Sequence, residues 1–289
     1  MGLTIQKLLS VGGKTLQEAG VENSNNDAEA LLCFVTGYDR KDLFLHSADD
    51  IGENYEDLYF RHIGRRASGE PLQYIISEQY FLGHRFYVDP AVLIPRQETE
   101  LLAVQAIDHI KANADVKNVL DLCTGSGVLA ISIALACPDL KITASDVSVH
   151  ALALSVQNAD DLGVSDRIVF KQSDLFSAFD DEIYKNVFDL VVTNPPYVRT
   201  GDITNLAREI RDYEPSMALD GGADGLMFYH RIAKTVRAYM RPGACIMAEI
   251  GSDQGEEVAA IFLEAGYKSI EISQDLNHLD RFFKASLEM

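Results

Sequence analysis

The chain has 289 residues, 47% of them hydrophobic, and no uncharged apolar run of about 18 residues, so it can bury a sizeable core but offers no membrane span. Lys and Arg number 25 against 44 Asp and Glu, a formal charge of -19, which repels phosphate backbones and speaks against a nucleic-acid partner. Cys33, Cys123, Cys137 and Cys245 form no CxxC pair and the seven histidines no HxxxH spacing, so neither a metal site nor a disulfide framework is expected, and a cytoplasmic protein is.

Residues 1–72 are predicted to form a small helical domain. Met1–Gly20 lacks the basic flank and apolar block of a signal peptide; Lys7, Lys14 and Glu18 recur at helix-like intervals instead. Ala28, Leu31, Leu32 and Val35 share one helical face, with Ser24 as expected N-cap and Gly37 as stop. Tyr55, Leu58, Tyr59 and His62 make a second stripe, ended by Ser68-Gly69. The basic cluster Arg61, His62, Arg65 and Arg66 reads as a solvated helix end complementing its own dipole.

The pattern changes after Pro71. Tyr74-Ile75-Ile76, Gln79 to Leu82 and Arg85 to Val88 are aromatic and β-branched, and Gly83-His84 separates the last two runs. A β-hairpin linker over 73–96 is expected, leading into Val92-Leu93-Ile94-Pro95-Arg96. From 97 to 289 strands and helices alternate. Strands are predicted at Asn118–Asp121, Lys141–Ala144, Arg167–Phe170, Asp189–Val192 and Ala244–Ala248, with helices such as Ala151–Leu162 between most of them. That rhythm predicts an α/β domain with a mostly parallel sheet wrapped on both faces. Two last strands, near Tyr267–Ile272 and Arg281–Leu287, lack a helix between them and are expected to pair antiparallel at one edge, making seven. A monomer is expected.

The first strand of this domain runs into Leu122-Cys123-Thr124-Gly125-Ser126-Gly127. A glycine turn lets backbone approach a ligand and aims free N–H groups at it from a helix start. The second strand ends at Asp146, about 20 residues on, where a carboxylate can accept two ribose hydroxyls or cap a helix. After the third strand, Asp174 is placed to accept from an adenine amino group and Leu175 to pack against the ring, unless Asp174 is merely another cap.

The fourth strand ends in Asn194-Pro195-Pro196-Tyr197. Two prolines remove two donors and stiffen the chain. The Asn194 side-chain oxygen and the Pro195 carbonyl can then accept both hydrogens of one NH2 group, while Tyr197 supplies a flat ring for a planar amide or base. A rigid turn would explain such a segment standing alone. Downstream of a glycine turn and Asp146, it points to methyl transfer from S-adenosylmethionine to a planar nitrogen.

Asp121-Leu-Cys-Thr-Gly-Ser-Gly127 and Asn194-Pro-Pro-Tyr197 together resemble amino methyltransferases, adenine DNA methyltransferases among them. Leu93-Ile-Pro-Arg-Gln-Glu-Thr-Glu100 narrows this: it is similar to the signature of the peptide chain release factor glutamine methyltransferases, the HemK/PrmC family. Gly69-Glu-Pro-Leu-Gln-Tyr74, Phe81-Leu-Gly83, Glu214-Pro215, Ala218 to Gly222, Asp224-Gly225-Leu226 and Glu249-Ile-Gly251 with Gln254 also match. The resemblance implies a Rossmann-like S-adenosylmethionine-dependent domain that methylates the glutamine of the release-factor Gly-Gly-Gln motif. It implies that Cys123, Thr124, Gly125, Ser126, Gly127, Asp146, Asp174, Leu175 and Asn194 bind the cofactor. Asn194, Pro195, Pro196 and Tyr197 would bind the target, and the helical domain would dock the release factor. Glu98, Thr99 and Arg96 would stand near the target pocket. Four positions depart from the family pattern: Gln97 for proline, and Cys123, Ser77 and His278 for glycine.

Two other readings compete. An adenine methyltransferase for DNA or RNA would flip a base into the same pocket and need a basic groove, which the charge opposes. A catalytically silent release-factor-binding module would not need the intact Asn194–Tyr197 segment. The long stretch 199–220 has the length of a lid over the cofactor.

Overall fold

The structure is a computed structural model and describes residues 2–287. The chain divides into two compact units: one runs to Glu78 and takes in Ala207–Tyr213, and the other holds Gln79–Leu206 and the chain from Glu214 onward.

The first unit is helical: α1 (Ile5–Glu18), α2 (Ser24–Thr36), α3 (Arg40–Leu45), α4 (Glu53–Ala67) and a short α5 (Leu72–Ile76). Ile5, Leu8 and Leu16 of α1 close on Ala28, Leu31 and Leu32 of α2 and on Tyr59 and Ile63 of α4. Each such side chain, fully buried, contributes roughly 1.5–3 kcal/mol. The closeness of packing shows at Gly12, where a Cβ would lie 2.0 Å from the Tyr59 hydroxyl. Gly37 ends α2 in the left-handed conformation, as its sequence position suggests, but Ser24 is the first helical residue rather than a cap.

Two expectations for this unit change. Tyr74-Ile75-Ile76 is a helical turn, not strand, because Tyr74 and Ile75 bury their side chains and Ser77 ends the turn at φ 57. The basic cluster is not simply a solvated helix end. Arg66 is buried and donates to Asp27 at 2.7 Å and to Glu209 at 2.9 Å, while Arg65 clasps Glu70. Glu209 lies on α9 (Arg208–Tyr213), so part of the 199–220 stretch is built into the helical unit, where Tyr213 also donates to the Ser68 carbonyl at 3.2 Å.

The second unit opens with a hairpin, β1 (Glu78–Phe81) and β2 (His84–Tyr87). Leu82 and Gly83, both at positive φ, make its two-residue turn, so His84 belongs to the strand rather than to the turn. Helix α6 (Gln97–Ala112) follows, with Gln97 at its first turn, where proline would also sit without loss. Then come β3 (Asn118–Leu122), α7 (Val128–Ala136), β4 (Lys141–Asp146), α8 (Val149–Asp161), β5 (Ile168–Gln172) and β6 (Phe188–Thr193). The chain ends through α10 (Met227–Thr235), β7 (Met240–Glu249), α11 (Gly255–Glu264), β8 (Ser269–Gln274) and β9 (Asp280–Ser286).

The seven-stranded sheet has the order β5-β4-β3-β6-β7-β9-β8, parallel except for β9, which runs antiparallel to both neighbours. Side chains alternate with the period of two that a strand imposes. Val119, Leu190, Val192, Cys245 and Met247 face one apolar layer with α6 and α7; Leu120, Leu122, Val191, Ile246 and Ala248 face the other with α10 and α11. Chain order reverses between β3 and β6, and the C-terminal ends of β4, β3, β6 and β7 lie side by side there. In open parallel sheets that reversal is where ligands bind.

Candidate active site

A cavity of about 300 Å³ opens at these strand ends. Its lining includes Cys123, Thr124, Gly125 and Ser126 after β3, Asp146 ending β4, Ser173, Asp174 and Leu175 after β5, and Asn194 and Pro196 after β6. Thr99 of α6, Val92 and Pro95 before it, and Pro215, Met217 and Ala218 complete the wall. Gly127, Pro195 and Tyr197 do not line it.

The turn after β3 has positive φ at Cys123 (59), Gly125 (56) and Gly127 (86). Thr124 holds it down by donating to buried Asp121 at 2.6 Å. The two glycines differ in purpose. At Gly127 a Cβ would come within 2.8 Å of Ile131 and 2.9 Å of Ser155, so this glycine lets α7 and α8 approach. At Gly125 a Cβ would meet no protein atom, and its N–H donates to Asp146 at 2.9 Å. Cys123 adopts a conformation natural to glycine, as do Ser77 and His278. All three are positions at which the sequence resemblance implies glycine.

Asp146 is largely enclosed. Burial pushes its carboxyl above the usual range, against the pull of N–H groups from Gly125 and Ser148 at 2.9 Å each. It is not the cap of α8; Ser148 is, accepting from Ala151. Leu175 is held at φ 51 with its side chain buried, and Ser173 pins it by donating to its carbonyl at 2.7 Å. An L-residue in this region is strained by about 1–2 kcal/mol, and such strain concentrates at functional sites. Asp174 is exposed and paired with Arg231 at 2.8 Å, an arrangement that contributes little energy in water.

Around Asn194 the geometry goes beyond the sequence reading. Its Nδ2 donates to Thr99 Oγ1 at 3.2 Å, Thr99 donates to Glu249 Oε2 at 2.6 Å, and Tyr197 donates to Glu249 Oε1 at 3.0 Å. Glu249 is buried, which raises its carboxyl above the ordinary value while the two hydroxyls pull it back. The Tyr197 ring is expected from sequence to be an open platform. Instead it is partly buried against the apolar layer of Leu120, Val191 and Ile246, because its hydroxyl is drawn to Glu249. Gln254 clamps the same loop: its Nε2 donates to the Tyr197 carbonyl at 3.0 Å and its Oε1 accepts from Gly251. Gly221 and Gly225 press against this backbone; a Cβ on Gly221 would stand 2.7 Å from Tyr197 Cα. Arg96 reaches the buried carboxylate of Glu214 and ties the strand before α6 to the segment carrying Pro215 and Met217.

The sequence resemblance places Thr99 near the target pocket and includes Glu249 and Gln254 in matching segments, but it assigns none of the three the hydrogen bonds seen here. One signal was available: Glu249 ends a parallel strand, as Asp146 does.

Comparison with known proteins finds two family matches. Residues 7–76 match the PrmC N-terminal domain, and residues 98–221 match the methyltransferase small domain. The release factor glutamine methyltransferase of Clostridium acetobutylicum is 37% identical over 96% of this chain and 97% of its own length. That of Geobacter sulfurreducens is 38% identical over 96% and 95%. The chain belongs to the release factor glutamine methyltransferase family. It is a methyltransferase with an α/β catalytic unit. The solved N-terminal domain of human METTL16 in complex with SAH shares the fold, with a TM-score of 0.51 at 15% identity over 71% of this chain and 76% of that one. Among the described residues, no helix is long and apolar enough to cross a membrane, and no group of three or more His, Cys, Asp or Glu could hold a metal ion.

Proposed function

We propose that this protein transfers a methyl group from S-adenosylmethionine to the side-chain nitrogen of the glutamine in the Gly-Gly-Gln motif of peptide chain release factors. The observation that carries the proposal is Asn194. It lines the cavity with its NH2 engaged by Thr99, which leaves its oxygen as the group to offer an incoming amide.

The residues present suit the cofactor. Asp146 ends β4 with lone pairs to spare beyond its two backbone bonds, which suits ribose hydroxyls. Gly125 borders open space, and Leu175 offers an apolar side chain beside Asp174 for an adenine ring. Cys123 to Gly127 set the backbone of this subsite. S-adenosylmethionine supplies an electrophilic methyl on its sulfonium.

The protein then has to present a poor nucleophile, because an amide lone pair is delocalised into the carbonyl. Asn194 Oδ1 and the Pro195 carbonyl hold both N–H groups of the target and fix the nitrogen in line. Such positioning supplies on the order of 7–11 kcal/mol at best. Positive charge grows on nitrogen during transfer, so the same two acceptors bind the transition state more tightly than the ground state. The product amide releases its proton to solvent. Tyr197 serves chiefly by anchoring the loop to Glu249, and the exposed part of its ring borders the target. The helical unit, residues 1–72 in the sequence division, docks the body of the release factor.

Incubation with labelled S-adenosylmethionine and either a release factor or duplex DNA tests this. Label is expected on the release factor and absent from its Gln→Ala variant in Gly-Gly-Gln. Label on DNA alone would favour an adenine methyltransferase, and label on neither a silent binding module. Asn194→Ala is expected to retain cofactor binding by calorimetry while initial rates fall by orders of magnitude.

A further inference from the structure

Glu249 ends β7, is 2% exposed, and does not itself line the cavity. Its two oxygens accept from hydroxyls on different elements: Thr99 on α6 at 2.6 Å and Tyr197 after β6 at 3.0 Å. Arg281 on β9 adds a nearby positive charge that favours the carboxylate.

The order of donors and acceptors has a consequence. A carboxylate only accepts, and a threonine hydroxyl has one proton. Thr99 donates that proton in its hydrogen bond to Glu249, so its Oγ1 faces Asn194 with lone pairs only. An asparagine side chain can present either its oxygen or its NH2, and the two are nearly identical in shape. Against a lone pair only the NH2 makes a bond, and Nδ2 is the atom placed 3.2 Å from Thr99 Oγ1. The Asn194 oxygen is therefore turned away from Thr99, and no hydrogen bond engages it among the described residues. Were Glu249 to donate, Thr99 could donate in turn, and the Asn194 amide would be stable the other way round, with NH2 toward the target. Two NH2 groups facing each other cannot bind.

We propose that Glu249 is a positioning residue which, through Thr99, sets the orientation of the Asn194 amide and, through Tyr197, holds the other end of the same four-residue segment. This rests on the function proposed above, in which Asn194 Oδ1 accepts from the target. Thr99 relays the constraint and Glu249 originates it. One carboxylate thus fixes both the direction of the acceptor and the curvature of the loop that carries it.

The test compares wild type with Glu249→Gln, Thr99→Val and Thr99→Ser. Two readouts are taken: methyl transfer to a release factor, and hydrogen exchange of the Asn194 side-chain NH2 by ¹⁵N NMR, assigned by its loss in Asn194→Ala. Glu249→Gln and Thr99→Val are expected to lower kcat roughly 10- to 100-fold. S-adenosylmethionine affinity and the release-factor KM should stay within about threefold. Thr99→Ser, which keeps the hydroxyl, should recover most of the turnover. Exchange of the Asn194 NH2 should be slow in wild type and Thr99→Ser and fast in Thr99→Val. Unchanged exchange in Thr99→Val, or turnover near wild type in both Glu249→Gln and Thr99→Val, overturns the proposal. If wild type fails to methylate any release factor, the functional reading fails, and the exchange comparison still decides whether Glu249 and Thr99 orient Asn194.

Discussion

Gly221→Ala is the most informative single change to the loop that carries Asn194. A Cβ at this position would lie 2.7 Å from Tyr197 Cα, 2.9 Å from the Pro196 carbonyl oxygen and 2.9 Å from the Gly225 carbonyl oxygen. All three are backbone atoms, and ordinary contact begins near 3.4 Å, so the loop must move by about 0.7 Å. No flexible side chain can absorb the strain. Overpacking of this kind costs about 1–3 kcal/mol in stability, which a folded chain of this size tolerates. Its effect on chemistry should be larger, because misplacement of a reacting group by about 1 Å lowers rates about 100-fold. Turnover of Gly221→Ala is thus expected to fall about 30- to 100-fold while S-adenosylmethionine binding survives. Initial rates, calorimetry and urea unfolding measure the three quantities. Gly201→Ala is the control: nothing lies within 4 Å of its Cβ, and stability should change by less than about 0.5 kcal/mol. Turnover of Gly221→Ala within threefold of wild type would refute the reasoning.

Three further outcomes are expected. Ser77 at φ 57 and His278 at φ 61 occupy a region that strains L-residues by about 1–2 kcal/mol, so Ser77→Gly and His278→Gly should each stabilise by about 0.5–1 kcal/mol after the entropy of glycine is subtracted; a lower denaturation midpoint in both would contradict this. Arg66→Met leaves buried Asp27 without its cation and should destabilise the helical unit by about 3–5 kcal/mol, with Asp27→Leu in the same chain restoring most of the loss in urea unfolding followed by circular dichroism. Burial pushes Asp121 up to about 7, so between about pH 4 and 7 the folded chain holds a proton that the unfolded chain has released. Stability relative to Asp121→Asn should therefore fall across that window, by on the order of 4 kcal/mol, and parallel pH curves for the two proteins would show the linkage to be absent.

The sequence by itself determined the period of most elements, and with it the seven strands, a mostly parallel sheet and its antiparallel edge. It also showed which strand ends carry polar groups, since Asp146, Asp174 and Asn194 each stand at or just after the end of an expected strand. Local chemistry suffices there: periodicity, turn residues and prolines act within a few neighbours. Tertiary structure decided what those neighbours cannot see. Tyr74–Ile76 became helical because burial outweighed β-propensity. Arg66 left solvent because Asp27 and Glu209, 39 and 143 residues away, both reached it. The Tyr197 ring packed inward because a carboxylate 52 residues on drew its hydroxyl. The orientation of Asn194 depends on Thr99 and Glu249, 95 positions before it and on the next strand of the sheet, and a hydrogen-bond chain of that span exists only after the sheet has assembled.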